Sequence, residues 1–309
     1  GNDTRVFKEV SKVGATLKEL QELAGTTMSS QVAMIYDWDS RWAMEDSKGP
    51  RNDGLHHQEM LLKYYRAFRK QGMNVDLIDM DCSIEGYQVL VLPMTYMFKQ
   101  GFAEKVRAFV EQGGVLITTY WSGIADDTDR CYLGGTPHGL MDVLGLRSTE
   151  IDGLFDWEEN QFMQVDGNEL GLFREYTCKY LCDLVRLDGA QALMTYGSDF
   201  YQGYPALTVN RYGKGSAWYV AADAEQVFQE DFIAKLLEHE EICGAVPGEI
   251  PEGLEVTTRE TEDVRYYIYQ NFGTGRVMLP LPEGETETVF GDPKQELEPY
   301  GLVVLRQRR

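Results

Sequence analysis

The residues of this sequence that could do chemistry are concentrated in residues 118–135, which read TTYWSGIADDTDRCYLGG. This stretch begins where an apolar strand, residues 115–118, should end. In a doubly wound α/β domain, ligands and catalytic groups gather just beyond the carboxyl ends of parallel strands. The stretch nevertheless lacks a nucleophile with a nearby base, a glycine loop for phosphate and the spacing of metal ligands. It has the position of an active site without the usual residues of one.

Three acids in this stretch, Asp126, Asp127 and Asp129, are candidates for glycoside hydrolysis, which uses two carboxylates flanking the scissile bond. The chain has 50 acids, however, so chance pairs are frequent and spacing alone selects none of them. Solvation of a loop and helix capping are the simpler interpretation. We therefore assign no catalytic residue to this sequence.

Ser122 and Cys131 are the candidate nucleophiles. Amidotransferase-type α/β domains place a Cys on a sharp turn after such a strand and pair it with a His. Here the turn is residues 121–123, and the 4 histidines show no characteristic pairing with it. A dinucleotide site would need Gly-x-Gly-x-x-Gly after the first strand, where residues 37–39 read DWD. We expect no bound nucleotide and no other cofactor.

Tryptophans are the remaining candidates for binding. Trp38, Trp42 and Trp121 follow the ends of predicted strands, and Trp157 lies in an irregular segment. Buried packing is the commoner role of Trp, but the core ends beyond the strands, so stacking on a sugar ring or on a partner protein stays open. The residues that we predict for an interface or for the rim of a sugar site are Trp38, Trp42, Tyr120, Trp121, Ser122 and Asp126.

Charge and composition exclude several partners. The net charge is 29 − 50 = −21, which argues against nucleic acid and anionic membranes. No apolar run approaches the roughly 20 residues that span a bilayer. The 5 cysteines contain no Cys-x-x-Cys, so we expect reduced, mostly buried thiols, no metal and a cytoplasmic location. The chain opens Gly-Asn-Asp without an initiator Met, and we expect it to be a piece of a longer protein.

The elements that must position these residues alternate between strands and helices. Apolar runs predict strands at residues 31–36, 74–79, 87–92 and 115–120. Amphipathic patterns predict helices at residues 3–24, around 61–68 with Asn52 or Asp53 as the cap, around 102–110 and at 225–241. This order predicts an α/β domain with a doubly wound, mostly parallel sheet.

The second half of the sequence is less regular. Residues 140–144 predict a short helix, residues 149–187 a long excursion with some strand, and residues 206–222 a hairpin. Residues 245–253 contain two Pro and two Gly and are typical of a linker. Five short strands follow, which predicts a small all-β sandwich or barrel. The predicted domains are a leading helix and linker (1–24), the α/β domain (25–244) and the β domain (245–309).

Four places in the chain resemble the C-terminal half of the glycoside hydrolase family 42 β-galactosidases. They are residues 34–43 (MIYDWDSRWA), residues 119–145, residues 210–220, and residues 254–257 together with 297–301. The second place is the most specific, with its succession of Ser-Gly, Asp, Gly-Gly, Pro and Leu-Gly. Each place alone is weak, but together, in this order, they extend over nearly the whole chain.

The resemblance implies a homotrimeric β-galactosidase with an upstream (β/α)8 barrel that holds the catalytic glutamates. Residues 3–24 are similar to the last helix and exit of that barrel. The α/β domain would have a class I glutamine amidotransferase-like, flavodoxin-like fold without catalytic residues. Its implied role is to assemble the homotrimer and to wall the active-site opening, with galactoside bound only in the full-length enzyme.

Two alternatives stay open on the residues alone. One is a standalone amidotransferase-like enzyme with Ser122 or Cys131 as nucleophile. The other is a carbohydrate-binding module that uses exposed tryptophans.

Overall fold

The computed structural model describes residues 2–47, 49–51, 55–292 and 296–309. The predicted helix cap, Asn52 or Asp53, lies outside these residues. The chain forms two compact units: a larger one of Ser30–Phe68 and Val75–Ile242, and a smaller one of Gly1–Ser29, Arg69–Asn74 and Cys243–Arg309.

The described helices and strands are numbered in chain order. The helices are α1 (Arg5–Glu19), α2 (Trp38–Asp46), α3 (His57–Lys70), α4 (Phe102–Glu111), α5 (Met141–Leu144) and α6 (Gln226–His239). The strands are β1 (Val32–Ile35), β2 (Val75–Ile78), β3 (Val89–Leu92), β4 (Val115–Thr119), β5 (Leu146–Gly153), β6 (Asn160–Gln164), β7 (Tyr176–Leu187), β8 (Gln191–Tyr196), β9 (Pro205–Tyr212), β10 (Gly215–Val220), β11 (Ala222–Ala224), β12 (Leu254–Glu260), β13 (Val264–Asn271), β14 (Val277–Met278), β15 (Glu287–Phe290), β16 (Glu296–Leu297) and β17 (Leu302–Arg308).

Among the described residues, the larger unit has one mixed sheet of 11 strands in the order β11-β7-β6-β8-β9-β10-β4-β3-β1-β2, with β5 paired to β7. Strands β2, β1, β3, β4 and β10 run parallel. The apolar runs of β1, β3 and β4 are completely buried, as expected of parallel strands covered on both faces.

The prediction of a mostly parallel sheet is wrong for the other part of this sheet. Residues 149–187, predicted as a long excursion with some strand, contribute β6, β7 and most of β5, and these strands pair in antiparallel fashion. The hairpin of β9 and β10 adds a further antiparallel pair, with Tyr212 opposite Gly215. The unit is therefore a mixed α/β domain.

The smaller unit contains an antiparallel sheet in the order β12-β13-β17-β15 and a two-stranded ribbon of β14 and β16. Its core includes Val256, Tyr269 and Leu305, each nearly or fully buried. The predicted small all-β domain is thus present as a small antiparallel sheet domain.

Helix α1 belongs to the smaller unit and has no buried residue. Thr4 caps its N-terminus by accepting a hydrogen bond from the Phe7 N–H at 3.3 Å. The apolar side chains of α1 that face solvent are Val6, Phe7, Val10, Val13 and Leu17. This helix carries an apolar face that the described residues leave exposed.

Two of the five thiols, Cys178 and Cys182, are buried, whereas Cys82, Cys131 and Cys243 are exposed. The expectation of mostly buried thiols is therefore wrong. Of the helices that the structure describes, none combines the length and the apolar character needed to cross a membrane.

Candidate functional site at the carboxyl edge of the parallel strands

Lys99 joins the loops that follow β1, β2 and β3. Asp37, directly after β1, caps α2 by accepting hydrogen bonds from the N–H groups of Asp39 at 3.0 Å and Ser40 at 3.1 Å. Its other carboxylate oxygen lies 2.8 Å from Lys99 Nζ, which is also 3.2 Å from the carboxylates of Asp39 and Asp81. Burial opposes the charge of Lys99, but hydrogen bonds to these carboxylates raise its pKa above the usual value. Asp37 is thus committed to capping and ion pairing.

Ser122 braces the neighbouring loop. Its Oγ accepts a hydrogen bond from the Thr95 N–H at 3.1 Å and donates to the Leu92 carbonyl at 3.5 Å. Thr119 at the end of β4 acts in the same way, since its Oγ1 accepts from the Met94 N–H at 2.8 Å. Within the described residues, no His side chain is hydrogen bonded to Ser122. Its bonds are those of a buried structural serine.

Tyr120 and Trp121 point into the protein and are only 1% and 4% exposed. The Trp121 ring stacks on Tyr96 with ring centroids 6.0 Å apart. On another side the backbone of Gly49 is so close that a Cβ there would lie 2.5 Å from the indole. Trp121 itself adopts a positive φ of 58°. The aromatic pair after β4 therefore belongs to the core.

Asp126 organises its own loop. One carboxylate oxygen accepts hydrogen bonds from the Thr128 hydroxyl at 2.6 Å, the Thr128 N–H at 2.9 Å and the Arg130 N–H at 3.1 Å. The hydrogen bonds from Thr128, followed by those from Arg130, lower the pKa of Asp126 to about 2. A carboxyl group in this state cannot supply a proton near neutral pH. Asp127 and Asp129 are exposed.

Trp38 and Trp42 are the predicted site residues with large exposed surfaces. They are 52% and 59% exposed, and their ring centroids lie 5.7 Å apart on α2. The Arg41 guanidinium lies 5.1 Å from the Trp38 ring centroid and pairs with Glu45 at 2.8 Å. Arg41 also donates a hydrogen bond to the Tyr36 hydroxyl. This arrangement presents two indoles over a neutralised cation, which suits stacking against a flat or apolar surface.

The sequence reasoning missed two residues of this edge, Lys99 and His57. His57 stacks on Tyr36 with centroids 5.5 Å apart, and burial together with Arg41 lowers its pKa to about 4. Lys99 carries no motif. The acids directly after β1 and β2 could have indicated Lys99, because carboxylates that lie close together in the folded chain are stabilised by a cation.

The fold and this edge define a class of protein: a mixed α/β domain linked to a small antiparallel β domain, with a strand edge where Asp37 pairs with Lys99 and Ser122 bonds to backbone groups. The β-galactosidase trimerisation domain model matches residues 30–243, and the β-galactosidase C-terminal domain model matches residues 253–307. This chain belongs to the glycoside hydrolase family 42 β-galactosidases, of which it carries these two domains.

Individual relatives agree with this assignment. The chain is 40% identical to β-galactosidase BglY of Alicyclobacillus acidocaldarius and 38% identical to β-galactosidase Pbg of Clostridium perfringens, with 99% of this chain covered in both cases. It is similar to the crystal structure of the cold-adapted β-galactosidase of Rahnella sp. R3, with a TM-score of 0.92, 41% identity and 99% of this chain covered. The chain spans only 45% of the length of each of these relatives.

Proposed function

We propose that this chain is the non-catalytic C-terminal portion of a β-galactosidase, and that it assembles the homotrimer and walls the active-site opening of a (β/α)8 barrel elsewhere in the full-length protein. The full-length enzyme would hydrolyse terminal β-D-galactosides, and galactoside would be bound only there. The observation that carries this proposal is the match of residues 30–243 to a trimerisation domain. The proposal keeps the domain boundaries 1–24, 25–244 and 245–309 and a cytoplasmic location, with no nucleic acid or membrane as partner.

The strand edge supports a non-catalytic role. Ser122 bonds to backbone groups, and Asp126 holds its own loop with a low pKa. An enzyme would instead keep a nucleophile and a base within hydrogen-bond reach. The comparisons lend no support to the amidotransferase-like or carbohydrate-binding alternatives.

The non-catalytic role is tested with a chromogenic β-galactoside. We expect the 309-residue chain to give no turnover above buffer, while a longer chain that includes the upstream barrel is active. Turnover by the 309-residue chain that survives repeated purification would overturn the proposal.

The exposed face of α1 supports the existence of a further domain that covers it. Five apolar side chains on one short helix are a large exposed apolar surface for a protein in water. We expect amide hydrogen exchange in α1 to be fast in the 309-residue chain and strongly slowed in the full-length chain. Equal exchange in both chains would contradict the proposal that a further domain covers α1.

Assembly is tested by light scattering at low and high salt. Three copies carry 3 × (−21) = −63 charges, so their repulsion must be screened or offset by apolar contact. We expect a trimer that is more stable at high salt. A monomer under both conditions would show that this chain does not assemble by itself.

A further inference from the structure

The loop between β5 and β6 carries two large exposed rings, Phe155 and Trp157, which we call the aromatic tip. Phe155 is 60% exposed and Trp157 is 77% exposed. The rings stack with centroids 4.9 Å apart and an interplanar angle of 1°. Adjacent exposed apolar side chains mark an interaction surface more often than scattered single ones do, and Trp and Phe are enriched at protein interfaces.

The backbone on both sides of the aromatic tip is fixed. Leu154 is buried, and its N–H donates to the Tyr180 carbonyl at 2.9 Å. The N–H of Phe155 donates to the Glu158 carboxylate at 2.9 Å, and the N–H of Glu158 donates back to the Phe155 carbonyl at 2.9 Å. A tip that is already ordered loses little conformational entropy when it binds.

Two of the three acids next to the aromatic tip, Asp156 and Glu159, pair with cations of the same chain, and the third, Glu158, accepts the Phe155 N–H. Arg51 donates hydrogen bonds to the Leu154 carbonyl and to the Asp156 carboxylate. Lys179 pairs with Glu159 at 2.6 Å. Burying the tip would therefore leave Asp156 and Glu159 paired, which lowers the main penalty for charged groups at interfaces.

We infer that the aromatic tip is a contact with a second copy of this chain in the trimer. This inference rests on the assembly proposed above and names a surface for it. Two observations select a second copy as the occupant. Phe155 and Trp157 lie within residues 30–243, which match a trimerisation domain. Moreover, two copies that each carry a net charge of −21 repel each other. We therefore expect the contact to form where acids are paired with cations and apolar surface is exposed.

The test compares the wild-type chain with a double variant, Phe155→Ser and Trp157→Ser, by light scattering over a concentration series at high salt. Interface hot spots each contribute at least about thirty-fold in affinity. We therefore expect the midpoint concentration of assembly to rise at least about thirty-fold, with the variant monomeric where the wild type is trimeric. The far-ultraviolet circular dichroism and the unfolding midpoint of the monomer should be unchanged, because both rings are exposed.

A matched control is Phe272→Ser. Phe272 is 62% exposed but lies outside the range matched by the trimerisation domain. This variant should assemble like the wild type. A conservative Trp157→Phe variant should retain most of the affinity, since it keeps an aromatic ring.

A second readout is acrylamide quenching of tryptophan fluorescence, taken as the difference between wild type and Trp157→Phe. The Trp157 signal should be strongly quenched at dilution and protected in the trimer. If the wild type assembles while the double variant assembles equally well, or if Trp157 stays equally quenchable, this inference is wrong and the proposed assembly survives. If the wild type stays monomeric throughout, this chain does not assemble by itself and this inference is wrong.

Discussion

Trp121 and Trp157 belong to the same compact unit but have opposite environments. Trp121 lies in the stretch with the most chemically promising sequence and is 4% exposed, whereas Trp157 lies in an irregular loop and is 77% exposed. Next to Trp121, the Ser122 hydroxyl accepts a hydrogen bond from the backbone N–H of Thr95. At Trp157 the neighbouring polar groups hold the loop in place, and the ring stacks on Phe155 but stays exposed to solvent.

This difference shows that polar residues beyond parallel strands can hold neighbouring loops in place through hydrogen bonds and ion pairs. Serines and acids at such an edge stabilise the edge itself when they form hydrogen bonds with backbone N–H groups and ion pairs with a lysine of the same chain. The surface left for a partner is then the one whose rings are exposed. Substitutions in the first region should change stability, and substitutions in the second should change assembly.

The largest effect on stability is expected for Trp121→Ala. The indole is enclosed between Tyr96 and Gly49, so its removal leaves a cavity. Such truncations cost about 3–5 kcal/mol. Urea unfolding of the variant should show this loss in the free energy of unfolding, and Trp157→Ala in the same assay should change it by about 0.5 kcal/mol or less. A loss below about 1 kcal/mol for Trp121→Ala would contradict the enclosed environment.

Much of the fold can be predicted from the sequence because β1 and β3 are continuous apolar runs and β4 begins with one, which is typical of buried parallel strands. Helix α2 escapes prediction because WDSRWAMED has no apolar stripe, and its start depends on capping by Asp37. Strand β7 escapes because Tyr180 has a φ of 66°, which interrupts the alternation expected of a strand.

The candidate site is harder to predict than the fold. Trp38 and Trp121 both follow strand ends, and local sequence gives no reason for one to be exposed and the other buried. The burial of Trp121 depends on Gly49, which is distant in sequence and approaches the ring only in the folded chain. Contacts of this kind are set by tertiary structure, so the spacing of residues along the chain does not reveal them.

The second largest effect is expected for Asp183→Asn, a buried carboxyl beneath the same edge. Asp183 is fully buried and accepts a hydrogen bond from the Tyr219 hydroxyl. Burial raises the pKa of Asp183 to about 7, against about 3.9 in an unfolded chain. The folded protein therefore retains a proton that the unfolded chain releases, so the wild type loses stability as the pH rises from about 4 to 7. The variant should remove this loss and be more stable by on the order of 2–4 kcal/mol near pH 8.

The measurement for Asp183 is urea unfolding at about pH 5 and about pH 8. The wild type should lose more stability between these two values than Asp183→Asn does. Asp126→Asn is a matched control, because the lowered pKa of Asp126 means that its contribution to stability is lost only as the pH falls below about 4 and is constant between about pH 5 and about pH 8. If wild type and Asp183→Asn change equally, burial of the Asp183 carboxyl is not linked to stability.

A smaller effect is expected for Ser122→Ala. The substitution removes the acceptor of the buried Thr95 N–H, which costs about 1–3 kcal/mol when no water replaces it. Ser83→Ala is the matched control, since the Ser83 hydroxyl accepts the exposed Glu85 N–H at 3.2 Å and water can take its place. Thermal unfolding should separate the two variants. Equal midpoints for both would indicate that Ser122 does not brace the edge.

The smallest effect on stability is expected for Trp38→Ser and Trp42→Ser. Both rings are about half exposed, so each substitution removes less buried apolar surface than Trp121→Ala does and should cost clearly less stability. In the full-length enzyme, however, the proposed rim role predicts a fall in kcat/KM for β-galactosides or a weaker trimer. Tyr300→Ser, at a residue of the smaller unit that is 73% exposed, should leave both unchanged. If the Trp38 and Trp42 variants match the wild type in kinetics and assembly, the two exposed indoles have no role at the rim. They would then differ from Trp121 only in how they are packed.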